Sequence, residues 1–188
     1  MSSTDSRTEL RITGLGGQGV VLSAHIVGKA ASIFADKHAT MLQSFGPEAR
    51  GSACSATLVI RDEEVLYPYI RRPAILVALS QEGYSKYADE LAPDGILIHE
   101  ADLVTPSLKP GQKAFSVPST RIAEELGRKI VQNIVMLGFF TAVSQLLTRE
   151  QVRNAVESSV PSGTEVLNLA AFDAGLAWYD EHYAAAEA

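Results

Sequence analysis

Ile12-Thr13-Gly14-Leu15-Gly16-Gly17-Gln18-Gly19 sets four glycines in six positions directly ahead of an apolar, small-residue run, Val20 to Ala35. Glycine lacks the Cβ that would hold an incoming group off the backbone. A helix that starts just after such a turn leaves its first N–H groups without intrahelical partners and adds the positive end of its dipole. Strand, glycine turn and helix start together form a receptor for a phosphate or a carboxylate. Gly14, Gly16, Gly17, Gln18 and Gly19 are therefore candidate binding residues, with backbone amides and the Gln18 carboxamide as donors.

A second constellation, Gln43 to Ser52, follows the second strand (Gln-Ser-Phe-Gly-Pro-Glu-Ala-Arg-Gly-Ser). Gly46-Pro47 and Gly51 fix the path of this loop. Arg50 offers a planar fork for phosphate or carboxylate. Glu48 can orient Arg50, and Ser44 stands at the loop's start. Ligands of open α/β sheets lie beyond the carboxyl ends of the strands, so the loops after strands one and two share an edge. The glycine turn and Arg50 can then face one anionic group. The competing reading is a local Glu48–Arg50 ion pair on a solvated loop, which contributes little.

Gly14, Gly16 and Gly19 also match Gly-x-Gly-x-x-Gly, in the strand-before, helix-after context of a dinucleotide site. Such a site needs an acid at the end of the second strand. That strand ends here at Gln43-Ser44, and Asp36 precedes it, which argues against NAD. A turn required only for close helix–sheet packing is the structural alternative. No catalytic residue and no metal ligand is nominated. His25, His38, His99 and His182 lack metal-ligand spacing. Cys54 reads as a small buried residue, and Ser44, Ser52 and Ser55 have no His and Asp that the sequence can place beside them. Asn133 and Asn168 read as partners of buried polar groups. An anion receptor without nucleophile, base or metal suggests a module of something larger.

The 188-residue chain is 46% hydrophobic and 20% charged, enough for one full core and too ordered in composition for a disordered chain. Its net charge of −6 argues against nucleic acid. A single cysteine excludes an internal disulfide and an iron–sulfur cluster held by this chain alone, and fits a cytoplasmic setting. Residues 1–8 are expected as a flexible N-terminus without the features of a signal peptide, 9–180 as one domain and 181–188 as a tail. The apolar stretch Ile130 to Leu147 is broken by polar residues and reads as a buried helix, not a membrane span.

Strands are expected at 9–14, 39–43, 53–60, 74–80, 95–99 and 113–117, with a further short one at Val65 to Tyr67 closing a hairpin after Arg61-Asp62-Glu63-Glu64. Helices are expected at 17–35 and 81–91. A long helix, Arg121 to Leu147, is capped by Ser119 or Thr120, with one or two interruptions expected from Gly127 and Gly138. Thr148 and Gln151 form a capping box for a helix to Ser158, and a last helix runs from Thr164 to Tyr179. The result is an α/β chain: a three-layer α/β/α domain with a mixed, mostly parallel sheet, a Rossmann-like start and a helical C-terminal part.

Gly14 to Val21, Gln43 to Gly51 and Pro73 to Ser80 together resemble the gamma subunit of 2-oxoacid:ferredoxin oxidoreductases, the 2-oxoglutarate type most of all. The similarity continues through Val117 to Thr120, Asn133 to Gly138 and Asn168 to Phe172, and so covers about Glu9 to Tyr179. The resemblance implies a non-catalytic subunit of an oxidoreductase complex that decarboxylates a 2-oxoacid on thiamine diphosphate and magnesium, passes electrons through 4Fe-4S clusters to ferredoxin and releases an acyl-coenzyme A. It implies that thiamine and clusters sit on alpha and beta partners and a ferredoxin-like delta partner. Coenzyme A contact and assembly fall to the gamma chain. Two departures stand out: Arg50-Gly51-Ser52 where the family often has Arg-Gly-Gly, and Pro73-Ala74 where it often has Pro-Asp. A pure assembly module and a free-standing nucleotide-binding protein are the alternatives.

Overall fold

Along Thr8–Leu15 (β1), Leu10 and Ile12 alternate with Arg11 and Thr13, and all four are buried. A strand with this pattern needs cover on both faces. The computed structural model describes residues 7–44 and 53–184 and supplies that cover. The other described strands are His38–Ser44 (β2), Ala53–Arg61 (β3), Ile75–Ala78 (β4), Ile96–Glu100 (β5) and Lys113–Val117 (β6). They form one sheet in the order β2-β3-β1-β4-β5-β6. β1, β4, β5 and β6 are mutually parallel, and β3 runs antiparallel to both of its neighbours.

The sheet is mixed, as expected, but for a different reason. Residues 65–67 form no strand, so the expected hairpin is absent. β3 finds its antiparallel partners in β1 and β2 instead. Two side chains of the β1 region explain the change. Arg7 donates to the carbonyls of Tyr67 and Tyr69, both at 3.1 Å. The Glu9 carboxylate accepts the N–H groups of Arg71 and Arg72 at 3.0 and 3.3 Å. The backbone of this segment is satisfied by side chains and has no need of a ladder.

Val20–Lys29 (α1) continues through a π-helical turn, Ala30–Phe34, so the expected first helix ends in a wider coil. Gln81–Tyr87 (α2) is capped by Ser80, whose hydroxyl accepts from Gly83 N–H at 3.1 Å. The expected helix from 121 to 147 divides into Ser119–Glu125 (α3) and Gln132–Ser144 (α4). Gly127 marks the break with φ of 91°. Gly138 does not interrupt; it lies inside α4. Arg149–Glu157 (α5) carries the expected Thr148–Gln151 capping box, and Glu165–His182 (α6) is the last helix among the described residues.

Cover is unequal on the two faces. Leu10, Ile12, Leu58 and Val77 join α1, α4, α5 and α6 in one large apolar core. Leu76, Ala78 and Leu97 meet Tyr84, Tyr87 and Leu91 of the α2 side in a smaller one. Arg11 also points to the α2 side, with its guanidinium 4.0 Å from the Tyr87 ring centre and 2.6 Å from a Glu90 carboxylate oxygen. Three layers result, as expected. Met136 to Phe140 are all buried within the chain, chiefly against α6, and so offer no surface to a partner. Among the described residues, no helix is long and apolar enough to cross a membrane.

The cap of α3 also differs from expectation. Neither Ser119 nor Thr120 caps it. The carboxylate of Glu100, at the end of β5 and 1% exposed, takes the Thr120 N–H at 2.9 Å and the Ser119 hydroxyl. Its other oxygen accepts Asp102 N–H at 3.1 Å. A strand-end acid thus does the work of an N-cap for the neighbouring helix.

Candidate functional site

β1 and β4 are adjacent and parallel, but the chain leaves β1 toward β2 on one side and returns to β4 on the other. That is a topological switch point, where a crevice opens beyond the strand ends. The glycine turn sits on it. β1 stops at Leu15, and Gln18 N–H turns back to Leu15 C=O at 3.1 Å. The Gln18 carboxamide then bridges the two strand ends. Its oxygen accepts Leu15 N–H at 2.6 Å, and its nitrogen donates to Leu79 C=O at 3.0 Å. Both ends of that amide are engaged within the chain.

The glycines divide into two kinds. Gly14 is buried under Gln18, where a Cβ would stand 2.7 Å from the Gln18 amide oxygen and 3.0 Å from Leu79 Cβ. Gly19, at φ 75°, lies against α4, where a Cβ would come within 2.5 Å of the Asn133 side-chain nitrogen. These two serve packing. Gly17, at φ 98°, is exposed, and nothing lies within 4 Å of where its Cβ would be. It opens to solvent.

Gly19 is also the residue before α1, in left-handed geometry and without a side-chain cap. A Ser, Thr or Asp there would place an oxygen over the first amides. Glycine leaves them open. The first helical bond runs from Ser23 N–H to Gly19 C=O at 2.9 Å, so the N–H groups of Val20, Val21 and Leu22 have no partner within the helix. Those of Gly16, Gly17 and Gly19 meet no acceptor among the described residues either. The result is a cluster of amide donors, without an acceptor among the described residues, at the positive end of a ten-residue helix.

The second constellation reaches the same edge. Ser44 pairs with Ser55, and Leu15 pairs with Ala53. The loop that joins β2 to β3 therefore starts and finishes beside the glycine turn. Ala53 N–H donates to the Glu82 carboxylate of α2 at 3.2 Å. Of the expected site residues, Gly14, Gly16, Gly17, Gln18, Gly19 and Ser44 lie at this edge. Gly46, Glu48, Arg50 and Gly51 lie outside the described residues.

Other groups at the carboxyl edge are polar and self-satisfied. Thr120 donates its hydroxyl to Gln132 Oε1 at 2.7 Å, and Asn133 donates to Ser23 Oγ at 3.4 Å. Burial pulls the His99 pKa below its ordinary value, and the ring meets the Glu100 carbonyl at 3.1 Å. Burial pushes the Cys54 thiol up, away from the thiolate a nucleophile requires. Gln132, Ser80 and Glu82 escaped the sequence reading. Ser80 was legible as the residue that ends an apolar run three positions before Gly83.

Comparison with known proteins places the chain in a family. Residues 9–178 match the pyruvate ferredoxin/flavodoxin oxidoreductase family. The 2-oxoglutarate synthase subunit KorC of Methanocaldococcus jannaschii is 43% identical over 172 residues, covering 90% of this chain and 92% of that one. The crystal structure of the gamma subunit of a keto/oxoacid ferredoxin oxidoreductase from Geobacter sulfurreducens superposes with a TM-score of 0.80 at 36% identity, over 90% of this chain and 96% of that one. A 2-oxoglutarate:ferredoxin oxidoreductase from Magnetococcus marinus, solved with 2-oxoglutarate, coenzyme A and succinyl-CoA bound, shares the fold at a TM-score of 0.84. There the identity is 19%, and the match covers 93% of this chain but 31% of that one. Sequence pattern, identity and fold converge on one assignment: the chain belongs to the pyruvate ferredoxin/flavodoxin oxidoreductase family.

Proposed function

We propose that this chain is the non-catalytic gamma subunit of a 2-oxoglutarate:ferredoxin oxidoreductase, that it binds coenzyme A at the glycine-turn edge, and that it helps hold the complex together. The observation that carries the coenzyme role is the set of amides at the β1/β4 switch point, those of Gly16 and Gly17 and of Gly19 to Leu22, that meet no acceptor among the described residues. Coenzyme A is a polyanion, and a helix start of this kind suits a phosphate. Arg50, on the loop that both leaves and rejoins this edge, adds a guanidinium on an otherwise acidic molecule.

In this reading the chain's residues bind and position; they make and break no bond. Thiamine diphosphate with magnesium, on the alpha and beta partners, supplies the decarboxylation chemistry. The 4Fe-4S clusters belong to those partners and a ferredoxin-like delta partner, since one cysteine, Cys54, cannot ligate a cluster. The cytoplasm is the matching compartment. A free-standing NAD-binding role finds little support. The Gln18 amide spans the space between the β1 and β4 ends, and β2 closes on Leu42-Gln43-Ser44 without a carboxylate.

The test separates coenzyme binding from assembly. In the assembled complex, Arg50→Ala is expected to raise the apparent KM for coenzyme A about tenfold, with the KM for 2-oxoglutarate unchanged. An unchanged coenzyme A KM removes Arg50 from the site. A complex that no longer forms favours the reading of the same loop as an interface.

A further inference from the structure

At the edge opposite the glycine turn, residues 62–74 cross from the end of β3 to the start of β4 without regular structure. They carry an unusual set of exposed side chains. Leu66 is 81% exposed, Tyr67 51% and Tyr69 59%, with Arg71 and Arg72 beside them. The two tyrosine rings lie 5.5 Å apart. Water does not favour such a display, and tyrosine and arginine are the side chains enriched at protein interfaces and their energetic centres.

The display is built, not frayed. A single ion pair, Arg7–Glu9 at 2.8 Å, holds the backbone beneath it. Arg7 clamps the carbonyls of Tyr67 and Tyr69, and Glu9 takes two successive N–H groups, those of Arg71 and Arg72. Ala74 N–H bonds to Glu9 C=O at 2.9 Å and closes the strap onto β1. A surface fixed before binding loses little entropy on contact.

Charge indicates the partner. Of the three acids at the start of the strap, Asp62 pairs with Lys37 and Glu63 with Arg61, which leaves the single carboxylate of Glu64 against the two guanidiniums of Arg71 and Arg72. The guanidiniums of Arg71 and Arg72 meet no carboxylate among the described residues. A second copy of this chain docked strap to strap would set those charges against each other. An acidic surface with an apolar centre fits them.

We propose that the strap Leu66–Arg72 is a protein-docking surface whose occupant is an acidic, apolar-centred face of another subunit of the oxidoreductase, on the side of the molecule away from coenzyme A. The partner's identity rests on the gamma-subunit reading above; the surface itself does not.

Hydroxyl-radical footprinting of the full chain alone and in the purified complex tests it. Tyr67 and Tyr69 are expected to label about tenfold more slowly in the complex. An Arg71→Glu/Arg72→Glu variant, whose exposed side chains leave the melting temperature unchanged, is expected to associate about tenfold more weakly. A complex that contains the chain with Tyr67 and Tyr69 as reactive as in isolation overturns the strap proposal and leaves the gamma-subunit reading standing. A chain that joins no oxidoreductase complex overturns both. Sedimentation of the isolated chain adds one more outcome: a dimer that protects the two tyrosines overturns the choice of partner.

Discussion

Gly138→Ala is expected to destabilise the protein by about 3 kcal/mol, and Gly175→Ala by a similar amount. The two glycines face each other where α4 crosses α6. A Cβ on Gly138 would stand 2.0 Å from the Phe172 carbonyl oxygen and 3.2 Å from Leu176 N. One on Gly175 would stand 2.0 Å from the Val135 carbonyl oxygen and 2.8 Å from Phe139 N. Every atom met is backbone, so no rotamer change relieves the clash; the helices must move apart. Phe139, Phe140 and Phe172, each 1% exposed or less, pack around the crossing and would lose contacts as it opens. Intrinsic helix propensity works the other way, since alanine for glycine inside a helix gains about 1 kcal/mol. The sign of the change therefore decides between the two effects. Thermal unfolding is expected to show a midpoint lower by roughly 10 °C. A raised midpoint would mean that the helices are not in contact at these positions. Gly28→Ala is the control: its Cβ meets only the end of the Leu58 side chain, at 3.2 Å, and the change is expected to stay within about 1 kcal/mol.

Glu100→Ala is expected to cost about 3 kcal/mol by a different route. Removing the carboxylate, itself 1% exposed, strands the buried Ser119 hydroxyl and takes the acceptor from the part-buried Thr120 and Asp102 N–H groups. A buried donor left without an acceptor loses the hydration it had in the unfolded chain and gains nothing in return. The loss falls first on α3 and on the turn after β5. Glu100→Gln keeps one acceptor but turns an NH2 group toward a donor, and is expected to lose about half as much. Urea unfolding of the three proteins reads the series. Equal midpoints for the native protein and the alanine variant would show that water replaces the carboxylate without cost.

These two sites also mark where the sequence was and was not readable. Periodicity placed the strands well, because a buried strand such as Ile75–Ala78 admits only apolar residues whatever its neighbours are. Pairing is another matter. Val65 to Tyr67 has the composition of a strand, yet Arg7 and Glu9, far away in sequence, take its backbone bonds. Gly138 read as a break because glycine weakens an isolated helix, and the reason it is tolerated lies on a helix more than thirty residues later. Glu100 lay just past the strand expected at 95–99 and drew no role, because the helix end it serves lies nineteen residues on. Local rules succeeded where partners are local: the Thr148–Gln151 box formed as expected.

The site followed the same division. The glycine turn was legible as a ligand-facing corner because its chemistry belongs to a contiguous stretch. The separate duties within it were not. Gly14 and Gly19 are packed against Leu79 and Asn133, which come from other elements, whereas Gly17 stands clear. Gln18 looked like a ligand donor, and it is engaged as a strut between β1 and β4.

That leaves the open amides around Gly17 as the feature on which the functional account rests, and a matched pair of substitutions addresses them. Gly17→Asn and Gly17→Asp share size and the strain of a φ of 98°, and differ in charge. In the assembled complex, the aspartate variant is expected to show a KM for coenzyme A about tenfold above that of the asparagine variant, with the KM for 2-oxoglutarate the same in both. Indistinguishable coenzyme A values for the pair would contradict an anion site at this corner.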